Sequence, residues 1–450
     1  MSNALQRMLS PSSVAIIGAS RDKTSVGYGI LKNVLASRFA GRVYAINPFA
    51  KSILGQPCRA SVLDVPGRVD LALVAVPASK VVSVAKECGE KGVFGLAVVS
   101  AGFAETPGGK ALQDELVVVC KRYGMRLLGP NCMGFLRPAL RLNASFAVSA
   151  PPAGGIAFVS QSGAIADSVI DWALRERYAF SLIASLGNSA DVDAADLVDF
   201  LSHDPKTKAI ALYLEGLGDG RRFALAAKKC GKPVVVLKAG RTAKGSVAAS
   251  SHTGALAGAW NVFRGAMRQS NVVLAEGTEE LFDFAKALAE QPLLRHNSVA
   301  VITNGGGPGV LAADYASDFG LELASLPRRV VARLERGGVM HSACAYGNPL
   351  DLIGDALPDR YEAALDAVVG EPSVGGVIVI QTLQTMTDPA GNARAIVAAK
   401  KRHPGKPVIA VFMGGRHNSA GERVLEAGGV PNYNDVRKAM RAMAALAGSL

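Results

Sequence analysis

The chain is short of the features that mark several functional classes. Aromatic residues make up 6% of its 450 positions, with two tryptophans, and the basic residues are dispersed. No basic stripe interleaved with aromatics and no DNA-reading motif appears, which sets nucleic-acid binding aside. The longest apolar runs, such as "SVAIIGA" and "GVIVIQTL", are strand-sized and fall well short of the roughly 18 residues a membrane helix needs. Six cysteines (Cys58, Cys88, Cys120, Cys132, Cys230, Cys344) stand far apart without a CxxC pair. That suits reduced thiols better than a disulfide frame or a zinc site. The opening "MSNALQRMLSPSSVAIIGAS" lacks the long apolar stretch of a secretory signal. The expectation is a cytoplasmic protein that neither meets a membrane nor holds a metal.

What is present describes a well-buried globular chain, 49% hydrophobic with a mean hydropathy of +0.24. The net charge of +12 points to anionic ligands or an acidic partner subunit. Three times a β-branched run leads through a Gly- or Ser-rich turn into a helix-like segment: "SVAIIGAS", "GIAFVSQSGAIADSVIDWAL" and "SVAVITNGGGPGVLAADYA". Strand-like runs such as "DLALVAVP", "AIALYLEG" and "PVIAVFMGG" alternate with helical stretches between them. This rhythm predicts an α/β protein of three doubly wound domains, over 1–137, 154–290 and 298–450, with seams at 137–154 and 290–298.

The first glycine turn, "GASRDKTSVGYG", does not spell GxGxxG, and the next strand, "RVYAIN", runs into Asn47-Pro48 where a ribose-binding acid would stand. A nicotinamide-dependent oxidoreductase is therefore disfavoured. The amides of Ala19 and Ser20, at a strand-to-helix turn, are candidates to hold a phosphate instead. Ser162, Gly163 and Ala164 open one predicted helix, and Gly305, Gly306, Gly307 and Gly309 open another. Either turn alone is a weak signal; two helix starts facing one anion could hold a phosphoryl group with backbone donors alone. Glu215 ends the strand "AIALYLE", where a carboxylate can fix the tautomer of an imidazole and free its other nitrogen as a nucleophile. Of six histidines, His252 alone lies in a run of small residues, "VAASSHTGALAG", suited to a loop that moves.

Taken together, "VAIIGAS", "SAGFAE", "LLGPNCMG", "AFVSQSGA", "SSHTGALAG", "NGGGPGV" and "NPLDLIG" occur in an order that resembles the NDP-forming acyl-CoA synthetases, alpha subunits of ADP-forming acetate–CoA ligase included. The resemblance implies a Rossmann-like CoA-binding domain followed by two flavodoxin-like ligase domains. It implies that His252 is transiently phosphorylated, that Glu215 positions it, and that the two helix starts receive the phosphoryl group. It assigns CoA contacts to Gly18, Ser20, Pro48, Val76, Pro77, Ser100 and Glu105, and places Asn131 near the acyl site. One departure is "NPFAK": many relatives read Asn-Pro-Lys, whereas Phe49 stands here and Lys51 follows two residues later, so a salt bridge from Lys51 to CoA is in doubt. No ATP-grasp domain or GxxxxGK[ST] loop is found, so the resemblance implies a separate ATP-grasp beta subunit holding ATP or ADP with Mg2+, in an alpha2beta2 heterotetramer. A non-catalytic CoA-sensing protein on the same scaffold is the alternative.

Overall fold

The computed structural model describes residues 3–247 and 260–448; His252 lies outside the described residues. Among the described residues twenty strands form three sheets. The first holds β1 (Ser13–Ile17), β2 (Arg42–Ile46), β3 (Ser52–Ile53), β4 (Gln56–Arg59), β5 (Leu71–Val74), β6 (Gly95–Val98) and β7 (Arg126–Leu128) in the order β3-β4-β2-β1-β5-β6-β7. All its pairings are parallel except β3 with β4. β1, β5 and β6 are buried along their whole length, as strands covered on both faces must be.

The second sheet is built from β8 (Gly134–Arg137), β9 (Leu142–Ser145), β10 (Ala153–Ser160), β11 (Phe180–Ser185), β12 (Ala209–Leu214), β13 (Val234–Lys238) and β14 (Val272–Ala275). Their order is β14-β13-β12-β10-β11-β8-β9. The third contains β15 (Ser298–Thr303), β16 (Glu322–Leu323), β17 (Leu350–Asp351), β18 (Gly376–Gln381), β19 (Val408–Phe412) and β20 (Asn432–Tyr433) in the order β16-β15-β18-β19-β20, with β17 also beside β15. The strand order reverses at β1, β10 and β15, the same three strands that the sequence marks by their glycine or serine turns. Ligands of open α/β sheets bind beyond the carboxyl ends of strands at such reversals.

The chain divides into two compact units, Met1–Leu281 and Phe282–Leu450. The first contains two sheets around a shared core that includes Val14, Ile16, Phe135, Val159 and Leu182. The stretch 137–154, read from composition as a seam, contains β9: β8 and β9 form a hairpin, and β8 pairs antiparallel with β11 of the second sheet. The helix Val26–Ala36 of the first sheet packs on β9, where Asn33 Nδ2 donates to the carbonyls of Ser145 (3.0 Å) and Ala147 (2.8 Å). Arg126 at the start of β7 donates to Asp191 and Asp196, both at 2.9 Å, and ties the sheets together again. The second unit has its own core of Ile302, Val377, Val379, Ala410, Phe412 and Tyr361. Among the described residues no helix is long and apolar enough to cross a membrane, and no three His, Cys, Asp or Glu side chains group as a metal site would need.

Candidate active site

Beyond the end of β10, Ser160 bends the chain into a helix, Gly163–Glu176. Its hydroxyl donates to the Ser162 carbonyl (2.7 Å) and accepts from the Ser162 amide (3.1 Å). Ser162 is the N-cap, its Oγ accepting from the Ile165 amide at 3.3 Å. The amides of Gly163 and Ala164 are left for a ligand, as the first-turn donors of a helix are. The end of β15 repeats the device. Thr303 Oγ1 donates to the Gly305 carbonyl and accepts from the Gly305 amide, both at 3.0 Å, and the helix Gly306–Asp318 follows. The Gly309 amide is committed to the Gly305 carbonyl (3.2 Å), so the donors there are Gly306 and Gly307. A Cβ on Gly306 would stand 3.2 Å from Asp351 Oδ2, a close approach that the carboxylate would have to yield to. The first helix start belongs to the first unit and the second to the second unit.

Glu215 directly follows β12, neighbour of β10 at the reversal, and is buried. Gln161 holds its backbone: Oε1 accepts from the amides of Glu215 (2.5 Å) and Gly216 (3.0 Å), and Nε2 donates to the Gly216 carbonyl (2.9 Å). Lys238 Nζ donates to the Glu215 carbonyl at 2.9 Å. Burial pushes this ammonium below the ordinary lysine range, and the Glu215 charge opposes the shift only in part. Ser162, Gly163, Ala164 and Glu215 line one cleft of about 820 Å³, and Glu105 and Asn131 line it too. The structure thus brings together the first phosphate-ready helix start, the predicted positioning carboxylate and the predicted acyl-site asparagine.

The remaining residues assigned to CoA surround the first reversal, between β1 and β5. Gly18 has φ +91, and a Cβ there would lie 2.3 Å from the Ala75 carbonyl oxygen, so only glycine fits. Asn47, before Pro48, donates from Nδ2 to the Ala19 carbonyl at 2.7 Å and fixes the loop after β2 against the loop after β1. Val76 and Pro77 follow β5, and the Ser100 hydroxyl donates to the Val76 carbonyl. Ala19 and Ser20 lie in the turn between β1 and the helix, where Asp22 accepts from the amide (2.9 Å) and hydroxyl (2.7 Å) of Thr24 and the helix itself begins only at Val26. Phe49 is 87% exposed, and Lys51 is exposed with no ion pair among the described residues.

Glu105 turns back onto its own loop, its Oε1 accepting from the amides of Gly102 (2.6 Å) and Phe103 (3.2 Å), while Oε2 accepts from Asn188 of the second sheet. Burial raises its carboxyl, but the hydrogen bonds from Asn188 and the loop amides outweigh it and hold the group below the usual glutamate range. Asn131, with φ +57, lies across from Asn188, their side chains 3.4 Å apart.

Comparison with known proteins agrees with the fold. Residues 12–138 match a CoA binding domain, 153–288 a succinyl-CoA ligase like flavodoxin domain, and 299–444 a ligase-CoA domain. The alpha subunit of ADP-forming acetate–CoA ligase II from Pyrococcus furiosus is 41% identical over 436 residues, 95% of this chain and 94% of that one. The chain belongs to the NDP-forming acyl-CoA synthetase family. ADP-forming acetate–CoA ligase I from Archaeoglobus fulgidus is 42% identical over 445 residues; the match covers 98% of this chain and 63% of that longer one. Among solved structures, acetyl-coenzyme A synthetase 1 of Candidatus Korarchaeum cryptofilum, in complex with phosphate and ADP, superposes with a TM-score of 0.93 at 38% identity, covering 99% of this chain and 96% of that one.

Several residues of this synthetase-family chain escape sequence reading. Gln161, Asn188 and Lys238 position the cleft through backbone and side-chain bonds that join distant segments, and no spacing in the sequence announces them. Ser160 and Thr303 leave a trace: each is the last residue of its strand, two before the N-cap amide that it accepts from.

Proposed function

We propose that the chain is the alpha-type part of an ADP-forming acyl-CoA synthetase, interconverting a carboxylic acid, CoA and ATP with acyl-CoA, ADP and phosphate. The observation that carries this reading is the convergence, in one cleft of the first unit, of the free Gly163 and Ala164 amides, Glu215 and Asn131. The near full-length likeness to a protein named as an acetate–CoA ligase alpha subunit supports it.

In the acyl-CoA-forming direction, one nitrogen of His252 attacks the γ-phosphorus of ATP, and ADP leaves with the electron pair of the broken P–O bond. Glu215 accepts a hydrogen bond from the other ring nitrogen and favours the tautomer that attacks. The amides of Gly163 and Ala164 hold the phosphoryl oxygens as the acid's carboxylate attacks phosphorus; the P–N bond breaks and an acyl phosphate forms. The CoA thiolate then attacks the acyl carbon, the C–O bond breaks and phosphate leaves. Gly306 and Gly307 give the second unit the same kind of donor pair, and we assign them to phosphate binding as well. CoA lies along the loops bearing Gly18, Ser20, Pro48, Val76, Pro77, Ser100 and Glu105.

ATP or ADP and Mg2+ belong, in this reading, to an ATP-grasp beta subunit in an alpha2beta2 assembly in the cytoplasm. The relative named as an alpha subunit supports a partner chain, and the longer Archaeoglobus relative supports the same partnership within one polypeptide. The test is acid- and CoA-dependent release of ADP by the complex. Glu215→Gln, which keeps the volume and removes the charge, is expected to lower kcat by about 10²-fold or more. Unchanged turnover in Glu215→Gln contradicts its role.

A further inference from the structure

The cleft has one more acidic lining residue, Asp167, and its situation is unlike that of Glu105. Glu105 is furnished with three donors. Among the described residues no protein donor reaches the Asp167 carboxylate, and its Oδ1 is shielded from solvent without a partner. Burial alone acts on it, pushing its carboxyl above the usual aspartate range with no hydrogen bond or cation to offset the shift. A desolvated acceptor without a donor is costly; Asp167 is half-buried on the cleft wall, and a turn of its carboxylate is what brings that oxygen to a ligand's donor.

Its position says which part of the ligand it meets. Asp167 stands four residues beyond Gly163 in the helix Gly163–Glu176, about 6 Å along the axis from the free amides at 1.5 Å per residue. Helical Cα–Cβ bonds tilt toward the N-terminus, so the carboxylate leans back toward those amides. An acid whose carboxylate reacts at the helix start therefore presents its next few atoms to Asp167.

We propose that Asp167 selects the acid: the cleft takes a small monocarboxylic acid bearing a hydroxyl or amino group whose hydrogen Asp167 accepts, and it turns away acids with a second carboxylate. The proposal rests on the synthetase reading of the cleft. The like charge of Asp167 opposes a dicarboxylate, whereas an O–H or N–H donor relieves its unmet demand.

The test compares kcat/KM of the complete complex for matched pairs: glycolate with acetate, 3-hydroxypropanoate with propanoate, 4-hydroxybutyrate with butyrate, and succinate as the dicarboxylate. At least one hydroxy acid is expected to exceed its unsubstituted partner by about 10-fold or more, the scale of a hydrogen bond to a charged group. In Asp167→Ala that preference should collapse to about 2-fold or less, while in Asp167→Asn, which keeps an acceptor without the charge, part of it should survive and succinate should gain. The KM for CoA should not move. Wild-type indifference to every pair, a preference that survives in Asp167→Ala, or a shift confined to the CoA KM overturns the proposal. Phosphorylation of the wild-type complex by γ-labelled ATP tests the synthetase reading separately. Should no acid turn over, saturation-transfer NMR of the same pairs on the full chain still decides whether Asp167 reads the hydroxyl.

Discussion

Gln161 makes three hydrogen bonds to the backbone of Glu215 and Gly216, so the geometry of the predicted positioning carboxylate depends on a neutral side chain. Gln161→Ala would leave two amides and a carbonyl without partners, with an expected stability loss of about 1–3 kcal/mol and a kcat lower by about 10- to 100-fold. Denaturant melts and turnover at matched temperature check this, and full turnover in a destabilised variant would deny Gln161 its positioning role. Asp70 offers a pH test away from the cleft. Burial raises its carboxyl, but the hydroxyl (2.6 Å) and amide (2.7 Å) of Ser12, with Arg7 beside it, outweigh burial and hold it below the usual aspartate range. A depressed folded-state pKa stabilises the protein above the unfolded value of about 3.9, and that stability is lost as pH falls through the folded value. Unfolding free energy should therefore drop less steeply below about pH 4 in Asp70→Asn than in the wild type. The thiols give a third test: Cys88, Cys120, Cys132, Cys230 and Cys344 are buried, and burial pushes the Cys120 and Cys132 thiols up to about 12, so iodoacetamide should label half-buried Cys58 first in the native chain.

At the scale of elements, the same strand-to-helix turn is built twice, with Ser160 and Thr303 in equivalent roles. At the first crevice the comparable requirement falls on Gly18. Gly18→Ala would place a Cβ 2.3 Å from the Ala75 carbonyl oxygen in a backbone region alanine avoids, with an expected loss of about 1–3 kcal/mol and a raised KM for CoA. A thermal melt and a CoA titration read the two effects separately. The strands that carry these turns were legible because each is a short apolar run that leads into a Gly- or Ser-containing turn, and the strand reversals fall on the same three elements. Glu215 was legible for a related reason, standing at the end of a recognisable strand. The late start of the helix at Val26 was not, because Asp22 and Thr24 form their local turn through side-chain bonds that compositional reading does not weigh. Asp167 was invisible for the opposite reason: a lone acid in a helix is ordinary until its environment shows that it has no donor.

The whole molecule gathers its first two sheets into a single unit, because the β8–β9 hairpin, Asn33 and Arg126 cross the stretch where composition suggests a seam. The proposed acid and CoA contacts of the first unit are thereby held on one packed body, while the second phosphate-ready helix start belongs to the other unit. In the proposed reaction a phosphoryl group taken from ATP and delivered to the acid needs a carrier, and we propose His252 for that task. The most direct measurement is to incubate the chain, purified with the proposed nucleotide-binding partner, with γ-labelled ATP, and to compare wild type with His252→Ala. The account predicts an acid-labile, base-stable label on the wild-type chain that is discharged by acid and CoA together, and none on the variant. Label that persists in His252→Ala, or a wild-type chain that never takes it up, would contradict the account.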